Sequence, residues 1–499
     1  MSTHITIPIN LKAMERAIRA ERVAGRRVAR RAQRQGCSNS NTAKAQKLRG
    51  EARARAVSAV AMRGREPLIR VGMTVQDDDG QVEDPRAFRR ALSKTEGYKR
   101  NPSSKHVGKE DMEAHGIGAI STGGIVESIK AEGYEYTLGD VTLRLAQAYG
   151  FCWGVERAVQ MAYEARSQYP NERLFITNEI IHNPIVNERL REMGVNFIED
   201  TDDSKDFSPV QEGDVVILPA FGATVDQMKL LADRGVNIVD TTCPWVSKVW
   251  NAVDSHKKKE YTSIIHGKWA HEETRATASF AGKYLIVKDM DEADYVAEYI
   301  LGRGSSREEF MKKFENAMSS NFDPDEDLEH VGIANQTTML KGETEQIGKV
   351  FQRAMMEKYG VENVDSHFMV LDTICDATQE RQDAMYDLVD SEPEMMIVVG
   401  GFNSSNTSHL QEISEQRNIP SFWVDSHERI DSQNNCLMHR LSYGELVETE
   451  GFMPGRPVRI GVTSGASTPD AVIDSVLEKV LEAQKKARAD SASQQPVAA

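Results

Sequence analysis

Asn237–Val246 reads N-I-V-D-T-T-C-P-W-V, and Met369–Thr378 reads M-V-L-D-T-I-C-D-A-T. Each passes from a short β-rich apolar stretch through Asp-Thr to a cysteine, and then into a helical pattern. Pro244 suits the first helical turn, where its missing N–H would be unpaired in any case. Tyr149–Val155, Y-G-F-C-W-G-V, sets a third cysteine at a similar junction. Three matched strand-to-helix junctions, at Cys152, Cys243 and Cys375, predict three α/β units. Each offers one thiol at the carboxyl end of its sheet, where ligands bind in open α/β folds.

The flanking sequence agrees. Apolar runs such as Val215–Pro219, Thr262–Ile265, Val331–Ala334, Met395–Val399 and Val458–Val462 alternate with helical patterns at Val155–Gln168, Val246–Lys258, Gly342–Lys358, Arg381–Leu388 and Pro469–Ala487. This alternation predicts βαβ units and small, mostly parallel sheets. The expected organisation is α/β lobes at 141–242, 243–372 (with an insertion near 302–330) and 373–487. A polar N-terminal extension covers 66–140 and a frayed tail 488–499.

The chain has 499 residues, 27% of them charged, and a net charge of −15. Residues 1–65 carry +13, leaving −28 for the remainder. A body this acidic repels nucleic-acid backbones. The Arg- and Ala-rich, acid-poor arm reads as an organelle-targeting peptide, although its serines are few. No apolar run approaches the ~20 residues of a membrane span, and five cysteines do not make a disulfide scaffold.

Helix N-termini favour thiolates, so the three cysteines are candidate metal ligands or nucleophiles. Alone, any one of them could be a small buried hydrophobe. Spacings of 91 and 132 residues exclude a local C-x-x-C knuckle. Structural zinc wants four closed ligands, whereas three thiolates on an iron–sulfur cluster leave one iron open. Cys37, in the basic arm, and Cys436, in an expected polar loop at Ser432–Met438, lack the junction context.

Gly400–Ser408 (G-G-F-N-S-S-N-T-S) and Gly461–Asp470 (G-V-T-S-G-A-S-T-P-D) each link a strand to a helix start, an arrangement that binds anions. No G-x-x-x-x-G-K-[ST] or G-x-G-x-x-G nucleotide loop occurs. His182 and His271 also follow strands. His271 opens H-E-E-T, and Arg275 in place of a second histidine excludes a zincin. Glu273 in a closed pocket could hold and deliver a proton, and Gln336–Thr338 could orient it. Together these features describe a redox or Lewis-acid metallocentre ringed by an anion pocket. Two rival readings are a metal-dependent hydrolase of a phosphorylated small molecule using His182, His271 and Glu273, and an iron–sulfur sensor whose basic arm binds nucleic acid.

Eight motifs in order, from about Gly133 to about Lys485, carry a family resemblance: G-F-C-W-G-V-E-R-A, N-E-I-I-H-N-P, D-T-T-C-P-W-V-S-K-V, H-E-E-T, N-Q-T-T-M-L-K-G-E-T, D-T-I-C-D-A-T-Q-E-R-Q, N-S-S-N-T-S-H-L and G-V-T-S-G-A-S-T-P-D. The chain resembles the 4-hydroxy-3-methylbut-2-enyl diphosphate reductases, which act last in the methylerythritol phosphate route to isoprenoids. Its long extension, Trp153 and Phe221 resemble the plant and cyanobacterial branch. Many bacterial relatives carry Ala and His at those two positions, so that histidine's role does not transfer.

The resemblance implies a trefoil of three pseudo-symmetric domains around a central [4Fe–4S] cluster. Cys152, Cys243 and Cys375 would hold three irons, and the fourth would face the substrate hydroxyl. His182, His271, Ser404, Asn406 and Ser467 would hold the diphosphate, and Ser405 and Thr378 would line the same pocket. Glu273 would supply protons, oriented by Thr337. A ferredoxin-type electron donor and a plastid location follow by the same analogy, with no nucleic-acid or membrane partner.

Overall fold

A computed structural model describes residues 84–101, 108, 110, 112, 123–201, 205–442 and 444–494. The basic arm at 1–65 lies outside the described residues. Three sheets form the framework. In the first, Tyr98–Lys99, Asn237–Asp240, Val215–Leu218, Leu174–Ile176 and Val195–Phe197 lie side by side, all parallel. The second orders Phe368–Val370, Val331–Asn335, Thr262–His266 and Tyr284–Val287, again parallel. The third has a parallel centre of Ser421–Val424, Met395–Val399, Val458–Ser464 and Val141–Leu145, flanked by antiparallel strands. Central strands such as Val215–Leu218 and Met395–Val399 are buried along their whole length. That is why they read as unbroken apolar runs rather than alternating ones.

The lobes differ from expectation at their edges. Val141–Leu145, expected to open the first lobe, pairs with Val458–Ser464 in the third sheet. The N-terminal extension is more than a cover, because Tyr98–Lys99 adds an edge strand to the first sheet. The C-terminal helix, expected to fray after Ala487, spans Asp470–Gln494. Its last turns are held by Lys486–Asp490 and by Arg488, which pairs with Asp140. Cys436 starts the strand Cys436–Arg440 rather than lying in a loop. That strand pairs with Leu446–Glu450, and the turn signals around it belong to hairpins.

The three cysteine junctions share a handover. The strand before Cys152 belongs to the third sheet, but the helix after it, Trp153–Gln168, buries Ala158, Val159 and Ala162 with Leu174, Val215 and Val239 of the first. Asn237–Asp240 of the first sheet leads through Cys243 into Pro244–Lys258, whose Val246, Val249, Trp250 and Val253 pack with Ile264, Val331 and Ile333 of the second. Phe368–Val370 of the second leads through Cys375 into Asp376–Val389, which packs Met385 and Leu388 with Met396 and Val398 of the third. Each cysteine therefore stands where the chain leaves one sheet for the next.

Candidate functional site

Cys152, Cys243 and Cys375 are each the N-cap of the helix that follows, and none of the three side chains caps its own helix. The backbone fixes two of them from outside. Cys152 N–H donates to Ala466 O (3.2 Å) and Cys243 N–H to Ala220 O (2.8 Å). The point where a Cβ on Gly154 would sit lies 2.6 Å from Cys243 Sγ and 3.9 Å from Cys152 Sγ, so only glycine lets these two sulfurs approach across that turn. All three cysteines line one cavity. Burial pushes the Cys243 thiol up to about 12, against the N–H groups of Trp245 and Val246, and also raises Cys375. In the bare protein desolvation thus outweighs the helix termini. Ionising these thiols requires a compensating cation.

Nine other side chains nominated from the sequence line the same cavity: His182, His271, Glu273, Thr337, Thr378, Ser404, Ser405, Asn406 and Ser467. Glu273 sits in the first turn of Glu272–Ala278 and is 2% exposed. Thr337 N–H donates to its Oε1 (2.5 Å) and Thr337 Oγ1 to its Oε2 (3.0 Å). Burial nevertheless raises its carboxyl to about 7, because two neutral donors recover less than water provided. Thr337 thus contacts both carboxylate oxygens of Glu273.

His271 caps the same helix, its Nδ1 accepting Glu273 N–H (3.1 Å). That contact puts the ring proton on Nε2. Burial, His182 and Lys268 hold the ring well below its ordinary pKa, hence neutral. His182 Nδ1 meets Glu179 Oε2 (3.0 Å), and its ring stacks on Phe221 at 4.9 Å. His182 Nε2, His271 Nε2 and Asn406 Nδ2 are buried without a protein partner. An unsatisfied buried polar group costs about 1–3 kcal/mol, so three on one cavity mark a polar ligand's place.

Ser404 caps Ser405–Gln416, its Oγ accepting Thr407 N–H (3.3 Å), and this twelve-residue helix turns its N-terminus to the cavity. Asn406 Oδ1 accepts Ala466 N–H (2.9 Å), and Ser467 Oγ donates to His182 O (3.1 Å), tying the two Gly/Ser/Thr loops and the His182 loop together. A Cβ on Gly401 would meet His182 O at 2.3 Å, so this approach also depends on glycine.

Sequence reasoning missed Glu179, which positions His182 and lies in the quoted N-E-I-I-H, and Gly154, visible between Cys152 and Val155. It also missed Asp240, wholly buried, which receives Arg89 Nη2 (2.7 Å), the hydroxyls of Tyr98 and Thr242, and Thr242 N–H (3.0 Å). Burial would raise this carboxyl, but Arg89, Thr242 and Tyr98 prevail and hold it below the usual range. Through Arg89 and Tyr98 the N-terminal extension braces the turn that carries Cys243.

The profile of the LytB protein family matches residues 143–481. A protein of Prochlorococcus marinus (strain MIT 9301) named 4-hydroxy-3-methylbut-2-enyl diphosphate reductase is 56% identical over 399 residues, 80% of this chain and 99% of its own. A Botryococcus braunii protein, named as the chloroplastic form of that reductase, is 56% identical over 404 residues, 80% of each chain. Among solved structures, the E-1-hydroxy-2-methyl-but-2-enyl-4-diphosphate reductase from Plasmodium falciparum aligns at 24% identity and a TM-score of 0.48, over 71% of this chain and 88% of that one. By its profile match and its long, even similarity to both named relatives, the chain belongs to the LytB family.

Proposed function

We propose that this chain reduces 4-hydroxy-3-methylbut-2-enyl diphosphate to isopentenyl and dimethylallyl diphosphate, the closing step of the methylerythritol phosphate route. One observation carries the proposal: three thiols at helix N-cap positions, a buried carboxyl poised near neutrality and three unpartnered buried polar atoms line a single cavity. The names of the two relatives point to the same reaction.

The thiol set fits an iron–sulfur group. All three cysteines face one cavity, and the raised Cys243 and Cys375 thiols ionise only beside positive charge. Among the described residues no three His, Cys, Asp or Glu side chains come close enough to hold a single ion. That leaves the hydrolase reading at His182, His271 and Glu273 without a three-ligand metal site among the described residues. Held by Cys152, Cys243 and Cys375, a [4Fe–4S] cluster would supply electrons one at a time and Lewis acidity toward the substrate oxygen.

The remaining chemistry belongs to the chain. Breaking the allylic C–O bond consumes two electrons and two protons and releases water. His271 Nε2–H, Asn406 Nδ2 and the helix N-terminus at Ser404–Ser405 hold the diphosphate, with His182 and Ser467 beside them. Glu273, half protonated near neutrality, delivers a proton, and Thr337 fixes its direction. Protonation at one end of the allyl system gives isopentenyl diphosphate, and at the other dimethylallyl diphosphate. Thr378 and Ser405 line the wall. A ferredoxin-type protein supplies the electrons, and the basic arm together with the chloroplastic relative supports a plastid location.

Anaerobic purification of residues 66–499 tests the proposal. The expected result is a coloured protein with about four iron and four sulfide per chain that turns over the allylic diphosphate with reduced viologen. A colourless zinc protein without turnover refutes it.

A further inference from the structure

A reductase of this kind takes electrons from outside, and Trp153, the covalent neighbour of Cys152, is 63% exposed. Trp245, two residues beyond Cys243, lines the cavity, and Lys248 Nζ lies 4.5 Å above its ring. One indole thus stands at the surface and another between the cavity and an exposed cation, each within two residues of a thiol.

The charges around this junction are unlike those of the rest of the chain. Arg89 and Arg100 both donate to Ser247 Oγ (3.1 and 2.8 Å). Arg157 Nη1 donates to the carbonyls of Thr241 and Thr242 (3.2 and 3.4 Å), immediately before Cys243. With Lys248 these are four cations, of which Lys248 and Arg100 reach the surface while Arg89 and Arg157 lie mostly buried behind them. Asp240, buried beneath them, offsets one, and Glu156, in the first turn of the Trp153 helix, offsets another. A positive face remains on a body whose residues beyond 65 sum to −28. An acidic partner is repelled by the body and steered to this face.

We propose that the surface of Trp153, Trp245, Arg100 and Lys248 is the docking site for a small acidic one-electron carrier protein. The proposal rests on the reductase reading. In each encounter the carrier would give up one electron, which the iron–sulfur cluster that Cys152, Cys243 and Cys375 would hold would take up. Two encounters supply the pair that C–O cleavage consumes.

The test compares the wild-type holoenzyme with Lys248→Glu, Arg100→Glu and Lys248→Arg. A plant-type [2Fe–2S] ferredoxin serves as carrier and reduced methyl viologen as small donor. Binding of oxidised ferredoxin is measured separately by calorimetry. Lys248→Glu is expected to weaken binding and to raise the KM for ferredoxin about tenfold at low salt. Viologen-driven turnover should stay unchanged, and Lys248→Arg should restore the wild-type values. Wild-type binding should weaken as salt rises. Binding unaffected by Lys248→Glu overturns the proposal, as does a parallel loss with both donors. Viologen turnover by a wild type that binds no ferredoxin overturns the docking site alone. Failure with both donors overturns the reductase reading, and the docking site with it.

Discussion

Replacing Glu273 with Gln keeps the side chain's shape and its contact with Thr337 N–H but removes the proton it can give. If Glu273 is the donor, turnover with a chemical reductant falls by about 10²- to 10⁴-fold, while iron content and diphosphate affinity stay near wild type. The same substitution has a second signature in stability. The folded pKa of about 7 lies above the ordinary 4.5, so folding favours the protonated form. Wild-type stability is therefore lost progressively as pH rises from about 4.5 to 7, and the loss levels off above. The Glu273→Gln variant carries no such penalty. A shift of this size means that, between pH 5 and pH 8, the variant should gain about 2.5 kcal/mol relative to wild type. Urea denaturation of the metal-free protein at both pH values measures this. Turnover within twofold of wild type would refute the proton-donor role, and an equal stability difference at both pH values would refute the raised pKa.

Replacing any one of Cys152, Cys243 or Cys375 with Ser should strip iron and sulfide from the purified chain and abolish turnover, as read by metal analysis. Gly154→Ala should lower iron content although no ligand is lost, because its Cβ would lie 2.6 Å from Cys243 Sγ; overpacking of this kind costs about 1–3 kcal/mol. Asn406→Ala should weaken inorganic diphosphate binding by about tenfold by calorimetry, with iron unchanged. Asp240→Ala strands Arg89 in a buried site and should cost about 3–5 kcal/mol in urea denaturation.

Much of this was legible because local chemistry dictates it. Met395–Val399 reads as a buried strand and is one. The strand, cysteine and helix of D-T-T-C-P-W-V appear as written, since Pro244 and the turn before it admit little else. The nominated polar residues share a cavity because strand ends and helix starts in α/β folds converge. What escaped was set by distant partners. The neighbour of Val141–Leu145 lies over three hundred residues away at Val458–Ser464, and no local pattern names it. Asp240 was not singled out because the arginine and tyrosine that bond it come from the extension. The helix termini that favour thiolate do not outweigh burial at Cys243 and Cys375, a cost set by packing that no local sequence pattern states.

The handover at each cysteine bears on assembly. Since each of these cysteines is a threshold the chain crosses between sheets, a fragment cut at any lobe border separates a thiol from one of the two layers that aim it. Inserting the proposed iron–sulfur group would therefore work like setting a keystone: it would clasp all three crossings at once, and its free energy of binding would become free energy of lobe-to-lobe cohesion.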